Sequence, residues 1–327
     1  ENYSDFGSNV SGKLASRLKL SENFSLRGSI NRGFRAPSLA QTFNSVTTST
    51  VQAGAIIQTK QLPNNDPRLA QIGIESPTAE TSWNYSLGVT AKAGSKFLFT
   101  LDAYQIDIKD RIILAERMIV SQIAALRPLF PGISEIRFFT NHVNTTTKGI
   151  DFVTTFKHDF NAKNRFTASL ALTFNETKIT NQRPTPAALQ AGTTARILVI
   201  DTVSISLIET AQPRQKMHLS LSYQANKMNF TWRTSYFGPV TAWEKPANRP
   251  HITQTFAGKT LHDVVITYTP NKTFNISVGS NNLTNVYPDR VARNFAGYSN
   301  GQIPFTRNAN QFGFNGAFYY LNATVNF

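Results

Sequence analysis

The sequence contains no cysteine, which removes a disulfide framework, a thiolate metal centre and a cysteine nucleophile. Charge is scarce: Asp, Glu, Lys and Arg make up 16% of 327 residues, against roughly 25% in soluble domains. Acids are scarcer still, 19 against 33 Lys and Arg, which leaves a net charge of +14. There is no Lys/Arg block and no nucleic-acid motif, so no nucleic-acid partner is expected. The charge fits an anionic membrane surface or a water-filled lumen instead. No run reaches the roughly 18 uninterrupted apolar residues of a membrane helix. No signal peptide opens the chain and Glu1 falls mid-pattern, so the natural start is expected upstream. The histidines His142, His158, His218, His251 and His262 lack metal-ligand spacing, so neither metal nor cofactor is expected. No Ser/His/Asp arrangement follows from spacing, and no catalytic activity is expected.

What is present is alternation. Ala317, Tyr319, Leu321, Ala323, Val325 and Phe327 fall on one face of a period-two pattern. Phe318, Tyr320, Asn322, Thr324 and Asn326 fall on the other. Such a strand suits a membrane β-barrel, or the edge of a soluble sandwich. The pattern recurs in hairpins. Leu14 and Leu18 alternate with Lys13, Arg17 and Lys19, and after the turn Ser21-Glu22-Asn23, Phe24, Leu26 and Ile30 alternate with Arg27 and Asn31. Trp83 to Lys92 pairs across Gly94-Ser95-Lys96 with Phe97 to about Asp110. Ile150 to Phe156 pairs across Asn161–Asn164 with Phe166 to Phe174. Leu219 to Tyr223 pairs across Asn226-Lys227 with Met228 to Thr234, and Val264 to Tyr268 across Pro270-Asn271-Lys272 with Phe274 to Val278.

This predicts an all-β chain of about eleven antiparallel strands. Turns of a few residues close one end of the hairpins. Insertions of about twenty to forty-five residues fall at the other, near Ala36 to Glu80, to His142, to Gln215, to Gly258 and Asn282 to Asn310. Outer-membrane barrels have that asymmetry, with short periplasmic turns and long extracellular loops. Phe24, Phe97, Phe166, Phe230 and Phe274 sit near the short turns, level with Phe327, and suggest an aromatic girdle; Trp83 and Tyr85 would start a strand at the opposite interface. The cations Lys13, Arg17, Lys19, Arg27, Lys92 and Arg233 all take the non-apolar parity, which predicts that they face a wet lumen.

Several stretches resemble the TonB-dependent outer-membrane receptors. They are Gly33-Phe34-Arg35-Ala36-Pro37-Ser38-Leu39-Ala40-Gln41, Glu80-Thr81-Ser82-Trp83-Asn84-Tyr85-Ser86-Leu87-Gly88, Thr147-Lys148-Gly149-Ile150-Asp151-Phe152, Asn281-Asn282-Leu283-Thr284-Asn285 and the terminal Phe327. The stretch from Asn64 to Ile74 is similar to Bacteroidetes-type members. The resemblance covers essentially the whole chain and implies the C-terminal part, over residues 1–327, of a transmembrane barrel in the bacterial outer membrane. The N-terminal plug and first barrel half would lie outside this chain. It implies active uptake of a scarce nutrient, such as a siderophore, haem, vitamin, glycan or peptide. Implied partners are the plug and barrel half, a TonB-type energy-coupling protein, outer-membrane lipid and lipopolysaccharide, and a surface lipoprotein. A passive porin-like channel and a secreted β-rich binding or adhesion protein are the alternatives.

Ligand selection would fall to loop residues, for which rigid aromatics and arginine are suited: Arg137, Phe138, Phe139, Trp243, Tyr287, Tyr298 and Phe305. Arg35 would reach the lumen and meet a plug carboxylate. Of the strand acids Asp102, Asp107 and Asp110, the first and last share parity and are read as solvated strand ends. The apolar run Met118 to Leu126 is read as a short loop helix.

Overall fold

The computed structural model describes residues 2–3, 7–52, 54–193, 196–244, 252–292, 304–306, 308–309, 311–326. One antiparallel sheet of 11 strands runs through them. Its strands, in chain order, are β1 (Gly12–Lys19), β2 (Phe24–Arg35), β3 (Glu80–Ala93), β4 (Phe97–Leu114), β5 (Phe139–Asn161) and β6 (Asn164–Gln182). They continue with β7 (Gln215–Ala225), β8 (Met228–Phe237), β9 (Lys259–Tyr268), β10 (Phe274–Asn281) and β11 (Phe318–Val325). Every strand pairs with its neighbour in sequence, and β1 and β11 form opposite edges of an open sheet. Among the described residues no helix is long and apolar enough to cross a membrane.

The register explains how the faces separate. Leu18, Leu26, Val89, Leu101, Phe152, Leu172 and Met217 lie opposite one another in a single cross-strand row. The next row along that face holds Phe24, Ala91, Phe99, Thr154, Leu170 and Leu219. Directly opposed residues share a face, so the apolar parity of each strand joins into one belt. The belt is bare: Leu321 is 73% exposed. Among the described residues no second sheet covers it, which sets aside the sandwich. Near the short turns Phe97 lies 4.6 Å from Phe156, Phe156 lies 6.2 Å from Phe166, and Phe160 lies 6.1 Å from Tyr223. These rings form the aromatic band at the short-turn end; Phe327 lies outside the described residues.

At the other end the long loops form a crown with its own interior. A four-stranded sheet joins Val46–Gln52, Ala55–Gln61, Glu135–Arg137 and Met118–Ile119. Leu62, Leu69, Ile72, Met118, Leu126, Phe130, Phe138 and Leu189 pack together beneath it. A smaller cluster gathers Ala211, Val240, Ala242, Phe256 and Ala309. The run from Met118 is therefore a two-residue strand and one 3-10 turn, Val120–Gln122, rather than a helix. Its side chains are spent on the core, and no 3.6-residue stripe remains to favour an α-helix.

Wall and crown are fastened where β5 leaves the membrane-like alternation. Register shifts fall between Asn141 and Val143 and between Val143 and Thr145. There the Asn141 side chain accepts from the Thr78 amide at 2.8 Å and donates to the Thr78 carbonyl at 3.0 Å. It also donates to the Asp110 carbonyl at 2.5 Å, and Asp110 takes a left-handed φ of 55°. A bulge bends a strand and re-aims its side chains, which suits this transition.

Candidate functional site

The polar face of the sheet is built from the opposite parity. Lys13, Arg17, Lys19, Arg27, Lys92 and Arg233 all lie on it, with Asn31, Asn84, Thr147 and Asp263. One cross-strand row runs Arg17, Arg27, Gly88, Asp102, Asp151, Thr173, Lys216. Gly88 matters here. A Cβ at that position would collide with the Asp102 carboxylate and crowd Arg27. Its absence lets Arg27 on β2 reach over β3 to Asp102 on β4, with Nε donating to Oδ1 at 2.8 Å and Nη2 to Oδ2. Such a bidentate pair holds both groups in fixed geometry. Asp151 sits directly opposite Asp102, and its Oδ1 is buried with no hydrogen-bond partner among the described residues. Above this row Asn84 Nδ2 donates to Asn31 Oδ1 at 2.7 Å, and the Ser29 and Ser86 hydroxyls share a bond of 2.8 Å.

Sequence parity placed Asp102 at a solvated strand end; it lies mid-strand, paired. The signal was available in the matching parity of Arg27 and Asp102 on either side of a glycine, but it requires the register. Asp107 lies on the other face, and Asp110 pairs with Arg183 at 2.6 Å.

Arg35 ends β2 on the polar face and meets a carboxylate of its own chain. Its Nη2 donates to Glu80 Oε1 at 2.5 Å and its Nε to Oε2 at 3.0 Å. Glu80 also accepts from the Ile112 amide at 2.7 Å. Pro37 ends the ladder, and Ser38 then opens a short helix, Leu39–Phe43, through a capping box with Gln41.

The crown residues expected at a ligand surface part company. Phe138 is 0% exposed and belongs to the crown core, so it packs instead of offering a recognition face. Phe139 opens β5, and its amide donates to Asn64 Oδ1 at 3.2 Å. Arg137 is half-buried, and its Nε has no hydrogen-bond partner among the described residues. Burial lowers its pKa, and Arg117 acts in the same direction. Nearby, burial pushes Glu116 above the usual carboxylate range, with Asp201 adding to the effect. Trp243 lies partly buried in Val240–Glu244. Tyr287 and Phe305 come together in the last loop, with parallel rings 6.2 Å apart, and Phe314 continues the stack at 6.0 Å. Tyr298 lies outside the described residues.

Two cavities of ≈ 380 and ≈ 340 Å³ meet at Gly73, Ile74, Glu75 and Ser76 in the crown. His142 lines the second, and burial, with Arg183 beside it, lowers its pKa to about 4. Among the described residues no cluster of three or more metal-ligating side chains forms.

A family model described as TonB dependent receptor-like, beta-barrel, matches residues 1–283. No curated protein matches the sequence. Solved structures do share the fold. The ferric enterobactin receptor of Pseudomonas aeruginosa is 14% identical, covering 99% of this chain and 41% of that one, with a TM-score of 0.58. The siderophore receptor PirA of Pseudomonas aeruginosa is 15% identical, covering 98% and 43%, with a TM-score of 0.56. The FrpB iron transporter of Neisseria meningitidis is 13% identical, covering 96% and 39%, with a TM-score of 0.56. The chain thus spans about two fifths of the length of these structures.

Proposed function

Because this chain belongs to the TonB-dependent receptor-like β-barrel family, we propose that it forms the C-terminal part of an outer-membrane receptor that actively takes up a scarce nutrient. The family is one of transporters and receptors, not of enzymes. The observation that carries the reading is the two-faced open sheet. Its apolar belt suits lipid, and its other face carries the Arg27–Asp102 pair, Asp151 and a field of cations suited to a wet interior. In hydrocarbon every backbone amide and carbonyl needs a partner, so the edges of β1 and β11, which pair with no further strand among the described residues, call for the remainder of a cylinder.

In this reading the first barrel half pairs with those edges and a plug fills the lumen. Lys13, Arg17, Lys19, Lys92 and Arg233 attract anionic groups of plug or ligand. Arg35 is held by Glu80 and shapes the rim. Ligand, be it siderophore, haem, vitamin, glycan or peptide, is chosen in the crown, where Tyr287, Phe305 and Trp243 offer aromatic surface. A TonB-type protein then moves the plug, and a surface lipoprotein is a compatible lid. The test is nutrient uptake in cells carrying the full-length receptor. Uptake that collapses on adding a protonophore or deleting the energy-coupling protein supports the reading. Uptake that persists through both identifies a passive channel and contradicts it.

A further inference from the structure

The apolar face carries a groove of ≈ 490 Å³ close to the crown. Its floor is the backbone of the row Tyr104, Gly149, Asn175. One wall is the apolar row Ala103, Ile150 and Phe174, of which Ile150 and Phe174 are each 49% exposed. The other is the polar row Gln105, Lys148, Glu176. Arg214 closes the end, with Nη1 at 2.9 Å from Glu176, whose second oxygen lies 3.1 Å from Lys178. Lys148 is exposed and makes no ion pair among the described residues. The groove is thus an amphiphile's negative: greasy toward the belt, cationic toward the crown.

Height is fixed independently. Tyr85 stands in the row of Gln105 and Lys148, and Trp83 in the row of Arg32, Asp107, Thr146 and Lys178. Their rings stack at 6.4 Å on the same face. Paired Trp and Tyr mark the depth where acyl chains give way to headgroups. In those two rows and at the groove's end, Arg32, Lys148, Lys178 and Arg214 outnumber Asp107 and Glu176.

We propose that this groove seats a phosphorylated lipid of the surrounding leaflet. An acyl chain lies along Ile150 and Phe174, and the phosphate sits between Lys148 and Arg214. The proposal rests on the membrane placement of the wall. The site faces away from the lumen, so its occupant is a structural partner and not cargo.

The experiment uses the full-length receptor purified from outer membranes, delipidated and reloaded from detergent micelles containing phosphatidylglycerol. Retained lipid is counted by native mass spectrometry. Wild type should keep bound lipid, and Lys148→Gln with Arg214→Gln should retain roughly 25-fold less, each cation near an anionic surface being worth a factor of about five. Lys13→Gln with Arg233→Gln, on the opposite face, should retain lipid as wild type does. Equal retention by the groove variant would overturn the proposal, as would displacement of the lipid by inorganic phosphate, which would mark a free-anion site. If the double exchange blocks assembly, Lys148→Gln alone decides on the same readout. Heat-modifiable mobility, scored in parallel, reports whether the wall itself has assembled, so failure of the barrel reading is seen separately.

Discussion

Wall and crown place the same residue types in opposite settings. Leu321 on the wall is 73% exposed, while Leu62 in the crown is 0% exposed. Phe274 on the wall is also exposed, and Phe138 in the crown is not. One rule governs both, since apolar surface leaves water wherever it can. The crown obeys it within the protein, by folding three distant loops over a common interior. The wall has no such interior among the described residues, and in the proposed reading lipid covers it instead. Stability of the crown is therefore a matter of packing, and stability of the wall a matter of sidedness.

That difference can be broken from either side. The largest effect is expected in the crown. Phe138→Ala should cost about 3–5 kcal/mol through the cavity it leaves. Hydrogen exchange should rise across Leu62, Ile72 and Ile136 while β6 to β8 stay protected; loss of wall protection as well would mean the two regions are not separate. Next, Leu172→Arg should cost roughly 2–4 kcal/mol at mid-membrane and impair assembly. Thr173→Arg, one residue away on the polar face, should be mild. Equal effects in a heat-modifiability assay would refute the sidedness.

A smaller effect separates the regions by pH. His142 has its pKa lowered from 6.5 to about 4 by burial, with Arg183 adding to it. The unfolded loop takes up the proton first, so crown stability is full above about pH 6.5 and falls as pH drops toward 4, by roughly 3 kcal/mol at most. Exchange of crown amides should accelerate over that window, and His142→Gln should flatten the response. An unchanged profile in that variant would exclude His142 as the cause.

The wall was legible because its logic is local. Each short turn and each strand face follows from period two, and Asn226, with a φ of 53°, sits in the turn its type favours. Legibility stopped where the alternation did. The sequence reading ends β4 near Asp110 and starts β5 near His142, whereas the strands run to Leu114 and from Phe139. The register shifts at Asn141 to Thr145 scramble the parity over that stretch. The crown hairpin of Val46–Gln52 and Ala55–Gln61 left a trace in its β-branched run and in Gly54, with a φ of 80°. The parallel pairing of Ala55–Gln61 with Glu135–Arg137 left none. Contacts between segments far apart in the chain have no sequence period. For the same reason the six cations could be assigned a common parity, while the Arg27–Asp102 bridge over Gly88 could not be foreseen.

The most direct test exploits the missing cysteines. Single cysteines placed in turn at 169 to 175 along β6 would carry the only thiol in this stretch of protein, and each is spin-labelled in the full-length receptor in liposomes. Labels replacing Leu170, Leu172 and Phe174 should meet lipid-dissolved oxygen, and those replacing Ser169, Ala171, Thr173 and Asn175 a water-soluble relaxant. Accessibility without that two-residue beat, or shielding of Leu170, Leu172 and Phe174 from both agents, would contradict the membrane-facing wall.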